Sequence, residues 1–142
     1  MKYRNICTGF AVSLAILGTS AMASAQEPSE AAAERLAQFE RTGETVNCVN
    51  LTRLRSIQPL DDSHFLIEMR GGDMYLNVTT GQCNRAASAG TYLQYSTPGS
   101  QFCRNQIIDV VDNGGSGMLS GSCALGEFEA LTPVDHGDSP SR

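Results

Sequence analysis

The chain has 142 residues, with ten lysines and arginines against fifteen aspartates and glutamates, for a formal net charge of −5. The single lysine, Lys2, and the scattered arginines form no clustered basic footprint, so nucleic acid is excluded as an expected partner. The length suits one domain with a modest core, in which covalent staples matter.

Lys2 and Arg4 precede an apolar run from Phe10 to Gly18, and small residues follow at Ala23 and Ala25. This is the pattern of a secretory signal peptide over residues 1–25, too short to span a bilayer as a mature helix. Cleavage after Ala25 would leave Gln26 first and a mature chain with eight arginines against fifteen acidic residues, a charge of −7. Cys7 lies in this leader without the small-residue context of lipidation. The expected location is periplasmic or secreted, with no stable membrane insertion once the leader is removed.

Residues 26–44 read as a helical leader. Ser29 suits an N-cap, Ala32, Leu36 and Phe39 share a face, and Gly43 suits a left-handed C-cap. A β domain is expected over 45–132, starting with the strand-like run from Val46 to Ile57. Pro59, Asp61, Asp62 and Ser63 then supply turn chemistry, with His64 leading the next strand out of a solvated turn. Three adjacent side chains rarely converge on one point, so Asp61, Asp62 and His64 are expected to be structural rather than an acid/base or metal site. On that reading His64→Gln costs little stability.

The next segment reads as a hairpin. A two-residue turn at Gly71 and Gly72 sets Arg70 opposite Asp73, Met69 opposite Met74, Ile67 opposite Leu76 and Phe65 opposite Val78. That register commits one face to the core and leaves Glu68, Arg70, Tyr75 and Asn77 on the other. Further strands are expected at Tyr92 to Tyr95, Gln106 to Val111 and Ala124 to Leu131. Pro98 and Gly99 suit a type II turn, a glycine-rich loop spans Gly114 to Gly117, and residues 133–142 form a disordered tail.

Apart from Cys7 there are four cysteines, Cys48, Cys83, Cys103 and Cys123, with no CxxC pair. An even number in an exported chain points to two disulfides rather than a metal site. If the first and last strands lie parallel, Cys48 pairs with Cys123 and Cys83 with Cys103. The competing pattern, Cys48 with Cys83 and Cys103 with Cys123, draws on the near-symmetric placement of the latter two about Asn113.

Chemistry-bearing motifs are sparse. Asp109, Asp112 and Asn113 lack the ligand alternation of a calcium loop, and there is no phosphate-binding glycine loop or GxSxG elbow. His136 falls in the tail, which leaves His64 as the imidazole to consider. Glu127 and Glu129 alternate on a strand and read as solvated. Asn77 opens a formal glycosylation sequon, "NVT", inside an expected strand. No cofactor, metal or catalytic residue is expected.

The run "CVNLTRLRSIQPLDDSHFLIEMRGGDMYLNVTTGQC", followed by "QFCRNQIIDVV" and "CALGEFEAL", resembles domain of unknown function family 6491, over about Thr45 to Thr132. Its recurring features fall at Cys48, the Arg55 to Ile57 segment, Asp62, the Tyr75 strand, Cys83, Cys103, the Ile107 to Val111 strand and Cys123. The resemblance implies an exported fold of proteobacterial origin and brings no established activity. The chain departs from the family pattern at Asn84 to Ala87, after the second cysteine.

The combined expectation is a mainly β fold, a small antiparallel barrel-like or strongly curved sheet with a short N-terminal helix, stapled by two disulfides. Its expected role is a non-enzymatic envelope binding or interaction module with an envelope protein as partner, the alternative being a small periplasmic hydrolase or hydrolase inhibitor. Arginine with tyrosine is favoured at interfaces, which makes Arg55, Arg70 and Tyr75 the candidate interaction face. The plainer alternative is that Tyr75 covers aliphatic surface while the arginines pair with Glu68 and Asp73.

Overall fold

A computed structural model describes residues 26–115 and 117–135; the expected signal peptide and His136 lie outside them. A short helix, α1 (Glu30–Leu36), is followed by ten strands: β1 (Phe39–Val46), β2 (Cys48–Asn50), β3 (Leu54–Pro59), β4 (His64–Met69), β5 (Met74–Val78), β6 (Thr91–Tyr95), β7 (Gln101–Cys103), β8 (Ile107–Asp112), β9 (Leu119–Ala124) and β10 (Phe128–Pro133). They form a five-stranded sheet in the order β1-β10-β5-β4-β3, a three-stranded sheet β6-β8-β9, and a two-stranded ribbon β2-β7. The fold is mainly β with one short helix, and none of the three sheets closes on itself.

Ser29 caps the helix as expected, its hydroxyl accepting from the Ala32 amide at 3.2 Å. The helix ends at Ala37, well before Gly43. Gly43 instead takes its positive φ of 76° inside β1, where the register with β10 shifts between Arg41 and Thr45. The Arg–Thr–Gly–Glu stretch bulges and the sheet begins at Phe39, so much of the expected helical leader is an edge strand.

The hairpin forms, but its register differs by one residue. Ile67 faces Tyr75, Phe65 faces Asn77 and Leu66 faces Leu76. Arg70, Gly71 and Gly72 make a three-residue connection, closed by Met69 N–H to the Asp73 carbonyl at 2.9 Å, with φ of 111° and 97° at the glycines. The shift is tolerated because both faces of the hairpin are apolar. Phe65, Ile67 and Met69 enter the main core with Phe102, Ile108, Leu125 and Phe128, whereas Leu66, Leu76 and Leu131 pack beneath Leu36 and Phe39.

Asn77 explains why the alternative register loses. It is fully buried, donating from Nδ2 to the Gly126 carbonyl and accepting the Gly126 amide on Oδ1, both at 2.9 Å. A Cβ on residue 126 would lie 2.0 Å from the Val78 carbonyl oxygen, so only glycine permits this approach. The sequon asparagine is therefore engaged in the core and presents no amide to solvent.

Each expected cysteine pairing is overturned. The structure joins Cys48 to Cys103, with Cα atoms 4.0 Å apart, and Cys83 to Cys123, at 5.0 Å. The first and last strands do lie side by side, but antiparallel, which carries Cys48 away from the final strand and into the ribbon directly opposite Cys103. The segment expected to form one last strand is two, and Cys123 belongs to the first of them, β9. Gly99 does not take the positive φ that a type II turn requires.

Two outcomes are expected. Trypsin separates all four cysteines, so non-reducing peptide mapping should join Thr42–Arg53 to Ala86–Arg104 and Gly71–Arg85 to Asn105–Arg142; any other linkage refutes the pairing. Asn77→Ala should destabilise by about 1–3 kcal/mol in chemical denaturation, because it strands the Gly126 amide and carbonyl.

Candidate functional site

The expectation of a turn at Asp61 holds, but His64 is not solvated: it is 3% exposed. Its Nδ1 lies 2.9 Å and 3.0 Å from the two Asp61 carboxylate oxygens. Asp61 also accepts the amides of Ser63 and His64 on Oδ1 and the Ser29 amide on Oδ2, each at 2.8 Å. Burial works against ionising Asp61, but the Ser29 and Ser63 amides, with the His64 ring and amide, outweigh it and hold the carboxyl below its ordinary pKa.

This carboxylate is a clasp. It ties the start of α1 to the β3–β4 turn and orients the imidazole. A cavity of about 550 Å³ opens beside it, with Asp61, Asp62, Ser29, Ser63 and Ser88 in its wall, but His64 does not line it. Of this pair the carboxylate reaches the cavity wall and the imidazole does not. Among the described residues, no group of three or more histidine, cysteine, aspartate or glutamate side chains is arranged to hold a metal ion.

Three of the other acidic candidates are engaged too. Asp112 accepts the Gly114 amide at 2.8 Å and pairs with Arg85 at 3.2 Å; the amide first and then the arginine hold its carboxyl below the ordinary value. Glu127 pairs with Arg104 at 2.8 Å and Glu129 with Arg41, so each carboxylate of the alternating pair has its own cation.

The candidate interaction face is split by the register. Tyr75 sits on the core side of the sheet, between Ile67 and Ala130, and packs against the main cluster. Arg55 lies at a bulge in β3 and pairs with Glu68 at 3.1 Å, and Arg70 stands exposed at the hairpin turn. Arg53 pairs with Asp73 at 3.5 Å. These partners are those of the plainer alternative. Tyr75 therefore shares no surface with Arg55 and Arg70, and exposed pairs of this kind contribute only about 0–1 kcal/mol each.

What the strands do assemble is a groove of about 460 Å³ where β3, the edge of the large sheet, faces β6, the edge of the small one. Leu51, Leu54, Ile57 and Leu93 supply aliphatic wall, and Tyr92 and Tyr95 line it from β6. The Tyr95 ring is fixed by a tilted contact with Phe102, centroids 4.8 Å apart. Tyr92 remains 47% exposed. Arg55 is the sole charged side chain lining the groove, and no carboxylate, histidine or cysteine does so. Sequence reasoning missed this site; its only signal was "TYLQY", a strand with two tyrosines and no charge.

A disulfide-stapled, mainly β domain with an open groove between two sheet edges is the class that these features define. The chain matches DUF6491, a family of unknown function, over residues 3–137, and it belongs to that family. No curated protein and no solved structure matches it. No helix among the described residues is long and apolar enough to cross a membrane.

The clasp yields a pH test. The folded pKa of Asp61 lies below its unfolded value, so its stabilisation is present above about pH 4 and lost as pH falls through the folded value. Asp61→Asn should be less stable than the parent at neutral pH, with the gap narrowing as pH falls below about 4 in thermal melts; a constant gap would assign the loss to shape instead of charge. His64→Gln should cost about 1–3 kcal/mol rather than nothing, since the site is buried and hydrogen-bonded.

Proposed function

We propose that this chain is an exported, non-enzymatic envelope module that binds a ligand or partner protein in the groove between β3 and β6. The groove itself carries the proposal. Its volume lies within the range of about 300–1,000 Å³ usual for ligand sites, and its walls combine aliphatic side chains and two tyrosines with the polar groups of Arg55, Ser56 and Thr91. Rigid tyrosines combine large contact area with a polar tip, which is what binding surfaces select. On this reading the three sheets wrap one core as an incompletely closed barrel, and the groove is its seam.

Export is supported by the charged-then-apolar leader ending in "ASA" and by disulfides, which persist in oxidising compartments. A hydrolase finds less support, because the histidine and aspartate that adjoin in the chain are spent on each other and the groove holds no acid/base pair. Of the expected interaction residues, Arg55 remains in the reading because it lines the groove.

The test places the photo-crosslinker p-benzoylphenylalanine at Tyr92, at Arg55 or, outside the groove, at Met118, in protein exported by a bacterial host. The expected result is an adduct of the same added mass from positions 92 and 55 and none from 118. Absence of adducts at 92 and 55, or an equal adduct at 118, overturns the proposal.

A further inference from the structure

We infer that the edge of β6 accepts an extended polypeptide segment as an added strand; the inference rests on the groove being the binding site. A sheet edge offers unpaired amides and carbonyls to any passing strand, and proteins protect edges with charge, proline, bulges, shortness or cover. Every other edge of this fold carries such a device. β1 has Glu40, Arg41 and Glu44 and the bulge at Gly43. β3 has Pro59 and the bulge at Arg55. β9 is bridged at Ala124 by Thr80 and overlain at Gly121 by the Asn84 backbone. β2 and β7 are three residues long.

β6 has none of these. Its residues, Thr91 to Tyr95, are uncharged, without proline, rich in β-formers, and paired with β8 in unbroken register. Asn113 N–H donates to the Gly90 carbonyl at 2.7 Å, which sets the alternation of ladder bonds. Tyr92 and Gln94 then direct their backbone groups to β8, and Leu93 and Tyr95 direct theirs off the sheet, along the groove. No other backbone group among the described residues pairs with them.

These groups select the occupant. A purely apolar ligand would displace water from the edge and leave N–H and C=O unpaired, whereas a peptide backbone satisfies them. An added strand alternates its side chains, so every second residue meets the Leu54, Ile57 and Ala86 floor and should be apolar. Arg55 is the one charged side chain in the lining and already pairs with Glu68 at 3.1 Å, so the selection rests on the backbone groups and the apolar floor. The partner is therefore an extended segment with alternating apolar residues.

The test pans a phage library of random nine-residue peptides against the mature, disulfide-intact protein, then synthesises the selected peptide with either set of alternate amides N-methylated. One methylated set should weaken binding about tenfold or more and the other little, the signature of one-sided backbone pairing. Tyr92→Lys, which adds the missing edge charge at an exposed position, should weaken it similarly without lowering thermal stability. If both methylated peptides bind as well as the parent peptide, strand addition is wrong and the groove reading survives. If no peptide is selected while position 92 still yields photo-adducts, the occupant is not a peptide strand. If peptides bind Tyr92→Lys undiminished and position 92 yields no adduct, both readings fall.

Discussion

The central hairpin of β4 and β5 is the element on which the rest of the structure depends. It lies inside the five-stranded sheet, flanked by β3 and β10, and buries apolar side chains on both faces. Fully burying one such side chain stabilises by about 1.5–3 kcal/mol, so its two-sided burial outweighs any single surface pair in this domain. A hairpin apolar on both faces has weak register preference from hydrophobicity alone. Polar geometry decides. A one-residue slip would bring Leu76 or Val78 to Gly126, where only an amide side chain can satisfy the buried backbone groups.

Covalent bonds then do what ladders do elsewhere. Cys83 follows β5 of the large sheet and Cys123 lies in β9 of the small one, so this disulfide joins two sheets. Cys48 and Cys103 hold the ribbon that runs on from β1, across a loop of 55 residues. Bridges spanning such separations contribute about 2–4 kcal/mol each, chiefly through the unfolded state. With the sheets held in this way, the domain does not need a hydrogen-bonded join between β3 and β6. The gap between these two strands stays open.

Much of the fold was legible from sequence. The Ser29 cap, the turn at Asp61, the hairpin and the β6 and β8 strands all follow from local chemistry. Errors arose where one residue type serves two ends. Gly43 supplies a positive φ equally to a helix terminus and a bulge, and nothing local separates them. A pair of glycines allows two- and three-residue turns, and alternation could not arbitrate because both hairpin faces are apolar. That misregister put Tyr75 on the wrong side of the sheet and dissolved the expected Arg55, Arg70 and Tyr75 face. Cysteine count revealed the number of bridges, but connectivity depends on whether distant strands run parallel or antiparallel, which is a property of the whole sheet.

The same contrast bears on where binding sites are found in a small domain of this kind. Asp61 and His64 drew attention because reactive side chains adjoin in the chain, yet nearness in sequence is what lets them satisfy each other as a closed turn. The groove is assembled from residues about 40 positions apart, none of them reactive alone. What marks it is a missing defence. A strand such as "TYLQY" exposes its edge at a standing risk of promiscuous pairing, and the other edges of this molecule are each guarded against that risk. An unguarded edge lying beside a tyrosine-lined groove is therefore better evidence of use than a histidine and an aspartate in one turn.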